Sequence, residues 1–482
     1  MTDEAVTTAA RRATPAPQST PAPPSTARAR LELLVVGVGA LVVSLTQSLL
    51  VPVLAILPGD LHTASANVEW LLTATLLVGA VAVPLFGRLG DMFGKRLLLL
   101  VALGALTIGS LLDALTDNVG LLITGRAIQG LSLAAIPLGI SLLSSLLPRE
   151  RVAAAIALIS SMLGVGGALG LPLAGVVVEH ADYHMLFWIT MAAGAASFAS
   201  TALIVPEAAD RPGGRVDLLG ALLLTAALVA LLLPLAQGSA WGWSSVRTLG
   251  LLAASVLLLI AFVAFELRIR QPLVDVRATA RKPILLTNTA SLMFGFALFA
   301  SLIGTASYVQ EPRQTGYGFE SSVVVAGLCL LPSGLLMLLL APVAARLIAS
   351  IGAHRTLALG AIIVAAGWLL RIVATESIWY VVLGSTVVGA GTGIGYAAMP
   401  ALINRNSPRS ELAAANGLNS LSRSLGSSLA SAIGGSLLTV STVTVAGLAL
   451  PSLTAYRALF AICAAAAGGA AVIALFIPHR TD

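Results

Sequence analysis

The chain has 482 residues, of which 57% are hydrophobic and 10% are charged, and its mean hydropathy is +0.96. Soluble domains carry about 25% charged residues, so this chain has too little charge to cover a water-facing surface. The composition therefore excludes one large soluble globule. The net charge of +6 is expected in the cytoplasmic loops of a membrane protein and does not indicate nucleic-acid binding.

Residues 1–30 are rich in Ala, Pro, Thr, Ser and Arg and nearly lack large apolar side chains. Such a segment cannot bury a core, so we predict a disordered cytoplasmic tail. After it come apolar blocks long enough to cross a bilayer, which takes about 20 residues each. We predict an all-α polytopic membrane protein with about fourteen spans. The predicted spans are 33–57, 68–86, 97–115, 119–146, 152–178, 185–205, 218–236, 248–267, 284–308, 322–342, 356–374, 379–403, 412–440 and 456–477.

Lysine and arginine are distributed unequally between alternate connections. With the N-terminus in the cytoplasm, about 21 basic residues face inside and about four face outside. An even number of spans then places both termini in the cytoplasm of a multi-pass plasma-membrane protein. Frequent alanine and a preference for arginine over lysine are typical of a GC-rich bacterial genome. The predicted outer residues are Arg247, Arg313, Arg371 and Arg457.

One segment of the chain occurs twice. Pro84-x-x-Gly87-Arg88-Leu89 leads to Gly94, and residues 342–347 lead to Gly352 with the same spacing. Two six-helix halves in the same orientation would produce this echo, with spans seven and eight inserted between them. We therefore expect a first bundle at 31–205, an inserted pair with its linkers at 206–283, and a second bundle at 284–482.

The earlier copy of this repeat contains an aspartate and three basic residues among its glycines. Its glycines permit backbone conformations that other residues resist, and an aspartate near the start of the third span suits a helix N-terminus. The alternative is a short basic loop that only fixes topology. The candidate loop residues are Gly87, Arg88, Asp91, Gly94, Lys95 and Arg96.

Three ionisable residues fall inside or beside predicted spans. Arg126 lies several residues inside span four, where an arginine costs about 2.5–3.5 kcal/mol and usually marks a function. The alternative is that it snorkels to the outer interface. Asp113 and Glu311 lie near the outer ends of spans three and nine. Either could couple to protons, or could simply be solvated at a span end.

Two spans carry small or polar residues at helical spacing. In span thirteen, Asn416, Asn419 and Arg423 share one face and could line an aqueous cavity or bond to neighbouring helices. Span five is rich in small residues that let helices approach closely, and it contains a proline that bends a helix. Its glycines could therefore serve ordinary packing. The residues of interest in span five are Gly164, Gly167, Gly170, Pro172 and Gly175.

Gly87–Arg96 resembles the signature loop of the major facilitator superfamily. Arg126-Ala-Ile-Gln129-Gly130 resembles the superfamily's buried-arginine motif, in which the arginine is linked to proton coupling. The glycines of span five resemble the antiporter motif of drug exporters. Fourteen spans and the segment 217–220 resemble the fourteen-helix drug:proton antiporter family. This resemblance covers nearly the whole chain after residue 30.

The chain departs from that family at two places. Leu171 separates Gly170 from Pro172, whereas relatives have glycine directly before proline. Relatives usually carry an aspartate in span one, and the matching segment here contains Thr46 and Gln47 with no acid. These two residues are candidates for lining the cavity, but the usual proton carrier is missing.

The resemblance implies a secondary transporter that exports amphipathic, often cationic, drugs or natural products in exchange for protons by alternating access. The alternatives are a facilitator or symporter for a narrow set of metabolites, and a transporter-like sensor that moves nothing. We find no Walker loop, no His-Glu-x-x-His motif and no nucleophile elbow, and expect neither an enzyme nor a cofactor beyond the proton gradient. His180 and His184 are four residues apart, but we expect a solvated outer loop there and no metal site. The expected partners are the lipid bilayer, a small amphipathic substrate and protons. We expect a monomer that binds no nucleic acid.

Overall fold

The computed structural model describes residues 26–55, 57–208, 213, 217–269, 272–445 and 448–478. In these ranges the chain forms eighteen α-helices and one β-hairpin. The helices are α1 (Thr26–Leu49), α2 (Leu57–Asp60), α3 (Ser65–Phe93), α4 (Lys95–Ala114), α5 (Val119–Gly130), α6 (Ala135–Leu146), α7 (Arg149–His180), α8 (His184–Ile204), α9 (Leu218–Trp241), α10 (Val246–Glu266), α11 (Val276–Thr279), α12 (Lys282–Gln310), α13 (Val323–Leu339), α14 (Ala341–Ile351), α15 (Ala353–Val373), α16 (Ile378–Asn406), α17 (Leu412–Val440) and α18 (Leu453–Leu475).

Length and composition identify twelve membrane-spanning helices in the described part of the chain, and the bent pair α13–α14 makes a thirteenth. The helices α5 and α6 form one of the twelve, joined by a short 3₁₀ segment at Leu131–Ala134. Each of these thirteen coincides with a predicted span. The remaining predicted span, 412–440, is the 29-residue helix α17, whose polar residues lower its hydropathy.

The helices form two bundles and an inserted pair. Helices α1 and α3–α8 pack on one another in the N-terminal half, and α12–α18 do so in the C-terminal half. The inserted helices α9 and α10 pack against each other, and α9 also contacts α3 and α17. The halves meet where α7 packs on α13 and where α3 packs on α17. This is the two-bundle architecture expected from the repeat.

The repeated segment is largely helical, which corrects the prediction of a loop. Residues Gly87–Phe93 continue α3, and Lys95 already begins α4. The chain turns at the single residue Gly94, whose φ of 125° favours glycine. Gly352 makes the same turn between α14 and α15 with a φ of 86°. The two halves therefore share this one-residue turn, and the end of the molecule that carries Gly94 is called the loop end below.

Two boundaries differ from the predictions. Helix α1 begins at Thr26, so the last residues of the predicted tail are helical, while residues 1–25 lie outside the described part. The strands β1 (Thr442–Val445) and β2 (Leu448–Pro451) pair antiparallel after α17. This hairpin is absent from the all-helical prediction because its strands are only four residues long and lie in a short connection between spans, although β1 alternates threonine and valine.

Candidate functional site

Asp91 joins the two halves at the loop end. Its side chain is 1% exposed. Its Oδ1 and Oδ2 accept hydrogen bonds from the backbone N–H groups of Ala413 at 3.2 Å and Ala414 at 2.9 Å. These are the first residues of α17, where unpaired N–H groups and the helix dipole favour an anion. The carboxylate therefore caps a helix of the opposite half, and not the start of its own third span as predicted.

The basic residues of this segment have separate roles. Lys95 Nζ lies 3.5 Å from Asp91 Oδ1 and donates to Ser145 Oγ at 2.9 Å. The guanidinium of Arg96 donates to the carbonyl of Ala202, while its backbone N–H donates to Glu207 Oε1 at 3.0 Å. Lys95 thus supports the contact between the halves, and Arg96 fastens α4 to the end of α8. Arg88 is half-buried near them.

Arg126 is at the centre of a buried polar network on α4 and α5. It is 1% exposed, and its Nη1 donates to Gln129 Oε1 at 2.5 Å. Gln129 Nε2 donates to Asp113 Oδ2 at 2.9 Å and to Ser110 Oγ at 3.1 Å. Asp113 is 0% exposed. The glutamine therefore bridges a buried cation and a buried carboxylate, and neither side chain extends to solvent. Gly130, the last residue of the motif, packs against the backbone of α3.

Two atoms of this network have no hydrogen-bond partner among the described residues, Asp113 Oδ1 and Arg126 Nη2. A cavity of about 10 Å³ lies beside Arg126 and is lined by Thr46 of α1 and Thr190 of α8 together with apolar side chains. That volume is about what one water molecule needs. Thr46, from the span-one segment that lacks the acid of relatives, therefore lies across this cavity from Arg126. Gln47 is next to it in sequence, and its buried Nε2 has no partner among the described residues.

Glu311 lies apart from this network, just after α12 in the C-terminal half. Its Oε1 accepts a hydrogen bond from the hydroxyl of Tyr456 at 3.1 Å. Burial raises the pKa of Glu311, and the tyrosine bond partly offsets that rise. The structure therefore does not bring the third proton-coupling candidate together with Arg126 and Asp113.

The glycines of α7 face two neighbouring helices. Gly170 lies against Ser48 of α1, whereas Gly164 and Gly175 lie against α13 of the other half. Gly167 has looser surroundings, with the nearest side-chain atom 3.9 Å from where a Cβ would sit. Pro172 packs against Gly327 of α13. This helix therefore lies in the seam between the halves, which is what its small residues permit.

The polar face of α17 makes bonds between helices. Asn419 Nδ2 donates to Asn288 Oδ1 at 3.0 Å and to Ser291 Oγ at 2.7 Å, both on α12. Arg423 Nη1 donates to Asn419 Oδ1 at 2.6 Å, and the guanidinium lies 5.2 Å from the ring centroid of Tyr396. In this arrangement the polar face of α17 bonds to α12 and contacts α16. Bonding to neighbouring helices was the alternative to lining a cavity in the sequence analysis.

Asn416 belongs to the same face and reaches Asn404 of α16, with its Nδ2 2.6 Å from Asn404 Oδ1. Asn404 Nδ2 donates to Ser144 Oγ of α6 at 2.9 Å, so this chain of bonds also crosses between the halves. Sequence reasoning missed Asn404. Its signal was a polar residue near the end of an otherwise apolar span.

Arg371 was predicted to face the outside, and that is wrong: the side chain is 2% exposed and buried in the C-terminal half. It is only two residues from the end of α15, which is why counting charges near span ends placed it in solvent. Packing of α15 on α16 and α18 encloses it instead.

The sequence profile of the family described as Major Facilitator Superfamily matches residues 36–339 and 285–482. Together these matches cover the chain from the first helix to its last residue. The chain is 29% identical over 415 residues to the "Tetracenomycin C resistance and export protein" of Streptomyces glaucescens, covering 84% of this chain and 75% of that protein.

Two further relatives come from Mycobacterium tuberculosis. "Multidrug resistance protein Stp" (strain CDC 1551 / Oshkosh) is 26% identical over 411 residues, covering 85% of this chain and 75% of the relative. "Multidrug resistance protein B homolog" (strain ATCC 25618 / H37Rv) is 27% identical over 390 residues, covering 79% and 71%. The fold is also that of the crystal structure of the human organic anion transporter MFSD10 (TETRAN), at a TM-score of 0.63 and 16% identity, covering 91% of this chain and 99% of the other.

Proposed function

Because the chain belongs to the major facilitator superfamily, we propose that it is a proton-coupled exporter of amphipathic drugs or natural products that works by alternating access. The observation that carries the proposal is the buried network of Arg126, Gln129 and Asp113. The names of three similar bacterial proteins, which refer to resistance or export, support the direction of transport.

Asp113 is the proton carrier in this proposal. Its Oδ1 has no hydrogen-bond partner and can receive a proton without breaking a bond within the described network. The ionised carboxylate offsets the charge of Arg126 through Gln129, so the network is close to neutral. A proton on Asp113 removes that offset and leaves a buried positive charge. Because a buried unpaired charge is costly, protonation destabilises the present packing of the N-terminal half and favours another conformation.

This charge change also explains exchange with a cationic substrate. A substrate cation is attracted while Asp113 is ionised and repelled once it is protonated, so proton and substrate occupy the transporter in turn. The membrane potential contributes about 2.3 kcal/mol for each charge moved across 100 mV. A water molecule in the cavity beside Thr46 would lie against Arg126 and extend the network toward α1 and α8.

Asp91 determines which end of the transporter is closed. Its bonds to the start of α17 hold α3 of one half against the other half at the loop end. From the distribution of basic residues, we expect the loop end to face the cytoplasm. Release of this contact would open the transporter to cytoplasmic substrate. The protein is then a multi-pass protein of the bacterial plasma membrane with both termini inside, acting as a monomer in contact with lipid.

A narrower substrate range is the second candidate. Identity to the relative named for a single compound, tetracenomycin C, is 29%, compared with 26–27% for the relatives named for multidrug resistance. The higher identity to the single-compound relative is consistent with export of one specific natural product by the same mechanism. The choice between the two is one of substrate range, and both require the proton network.

The test is proton release on addition of substrate to energised everted vesicles that contain the protein. A pH-sensitive dye reports collapse of the proton gradient as a panel of compounds is added, including lipophilic cations such as ethidium. We expect a collapse with the wild type and with Arg313→Gln, an exposed arginine near the far end of α12, but none with Arg126→Ala. If the Arg126→Ala protein collapses the proton gradient and exports substrate as the wild type does, the proposal is contradicted.

A further inference from the structure

Each half contains a pair of neighbouring helices whose backbones touch at two glycines, but the charged residue beside this contact differs between the halves. The backbones of α4 and α5 touch at Gly109 and Gly125, and those of α15 and α16 touch at Gly367 and Gly384. Asp113 lies one helical turn after the first of these contacts, and Arg371 lies one turn after the equivalent glycine. The position that holds a carboxylate in the N-terminal half therefore holds a guanidinium in the C-terminal half.

With arginine at this position, the described interior of the C-terminal half contains no buried acid. Among its described residues, the buried charged side chains are Arg371 and Arg423, both positive. Arg423 is engaged by Asn419. No ion pair joins Arg371 to a carboxylate in the part of the chain that the structure describes. A buried guanidinium without a counter-charge destabilises the folded protein.

The groups around Arg371 are hydrogen-bond donors. Its Nη1 donates to Thr305 Oγ1 of α12 at 2.5 Å, which leaves the threonine hydrogen available to a further acceptor. Among the described residues, its Nη2 has no partner, and neither does the indole Nε1 of Trp368, one turn earlier on the same helix. The guanidinium carbon lies 5.4 Å from the centroid of that indole. Trp368 and Thr305 are both 0% exposed, so water does not satisfy these donors from the surface.

Aromatic side chains cover the cluster. The guanidinium carbon lies 4.3 Å from the ring centroid of Phe460 of α18 and 5.9 Å from that of Tyr308 of α12. The hydroxyl of Tyr308 is directed to the carbonyl of Thr375 at 3.4 Å, and the hydroxyl of Tyr456 is directed to Glu311. Cation–π contacts stabilise the guanidinium carbon face, but they do not provide an acceptor for the free N–H groups.

We propose that Arg371, Trp368 and Thr305 form a binding site for a small monovalent anion between α12, α15 and α18. The guanidinium, the indole N–H and the threonine hydroxyl are donors beside one positive charge, and they match the needs of a halide ion or a compact carboxylate. The anion supplies in the C-terminal half the counter-charge that Asp113 supplies in the N-terminal half. The site is separate from the Arg126 network and does not depend on the proposed export.

The experiment measures thermal unfolding of the purified full-length protein in detergent, without substrate or proton gradient. Sodium gluconate is replaced by sodium chloride, bromide or acetate at constant ionic strength. We expect chloride and bromide to raise the unfolding temperature of the wild type by at least about 2 °C in a saturable way, as a ligand of the folded state does. The exposed control Arg313→Gln keeps this rise, and Arg371→Gln loses it.

The two sources of the anion are distinguished by the salts. Stabilisation by chloride assigns the site to an inorganic halide, and stabilisation by acetate alone assigns it to the carboxylate of an organic acid. If Arg371→Gln does not fold, Thr305→Val is used as the test variant, and we expect chloride to raise its unfolding temperature less than that of the wild type. Crystals of the wild type in bromide should also show an anomalous peak within hydrogen-bonding distance of Arg371. No anion dependence, the same dependence in the variants, or stabilisation by halides without a bromide peak at Arg371 would overturn the proposal.

Discussion

At the scale of single residues, Gln129 makes both bonds that join Arg126 to Asp113. Its amide oxygen accepts from the cation and its amide nitrogen donates to the carboxylate, so one side chain satisfies groups of opposite character. Neither a carboxylate nor an ammonium could take this place, because each offers acceptors only or donors only. The network therefore depends on the amide in a way that its sequence motif does not reveal.

Gln129→Leu should consequently remove the bridge while keeping the volume. Three buried groups then lose a partner, on Arg126, Asp113 and Ser110, and each group left unsatisfied costs roughly 1–3 kcal/mol. We expect a lower unfolding temperature and a loss of uphill export. Thermal unfolding and transport in proteoliposomes measure the two effects. Gln314→Leu, at an exposed glutamine after α12, is the control, and equal behaviour of the two variants would argue against the network.

At the scale of helices, α7 must pack on α1 and on α13 at the same time. Gly166 faces α1 so closely that a Cβ there would lie 2.5 Å from the carbonyl oxygen of Leu41 and 2.8 Å from the amide nitrogen of Leu45. Gly167, the next residue, would meet nothing nearer than 3.9 Å. The adjacent glycines thus differ in what they do, although the sequence pattern treats them alike.

These neighbours give a matched pair of substitutions. Gly166→Ala should destabilise the protein by about 1–3 kcal/mol, because backbone atoms of α1 cannot move aside easily. Gly167→Ala should be neutral or stabilising by up to about 1 kcal/mol, since alanine favours a helix. Thermal unfolding of both variants decides the point. A stable Gly166→Ala protein would mean that α1 and α7 are farther apart than the structure places them.

The contact of α3 with α17 is the second element-scale feature. Asp91 receives two backbone N–H bonds and lies near Lys95, so the contact combines charge with hydrogen bonding across the halves. A carboxylate at a helix N-terminus contributes typically 0.3–1 kcal/mol and up to about 2 kcal/mol when partly buried. That amount is enough to shift the populations of two conformations several-fold.

Asp91→Asn should therefore favour the conformation that is open at the loop end. Spin labels at Phe93→Cys and Arg409→Cys, both exposed at that end, report the separation of the halves in a background without the native cysteines. We expect longer distances in Asp91→Asn than in the wild type. Glu150→Gln removes an exposed acid at the same end and serves as control. An unchanged distance distribution in Asp91→Asn would contradict the role given to this contact.

At the scale of the whole molecule, the sequence predicts the bundle plan because bilayer thickness and hydropathy are local properties. Each apolar block became a helix, and the repeat predicted two equivalent halves whose turns at Gly94 and Gly352 have positive φ. The polar helix α17 was predicted by the same length criterion as the other spans, and its 29 residues exceed that length, although its hydropathy alone does not mark it as a span.

The sequence predicts less of the side-chain contacts, because these depend on which helices become neighbours. Arg126 and Gln129 are three residues apart on one helix, so their bond was accessible to sequence reasoning. The addition of Asp113, the capping of α17 by Asp91, and the burial of Arg371 all depend on packing between helices. Position along a span could not distinguish a solvated end from one enclosed by its neighbours.

The central claim is that Asp113 carries the exchanged proton, and substrate flux in proteoliposomes with Asp113→Asn tests it most directly. Amide replacement keeps the shape and removes the titration, so we expect uphill transport driven by a pH gradient to be lost. Substrate-for-substrate exchange of a cation should also slow, because the neutral amide no longer attracts it. Asp60→Asn, at an exposed aspartate in α2, should keep both activities. Uphill transport at the wild-type rate in Asp113→Asn would contradict the account and move the proton to another residue.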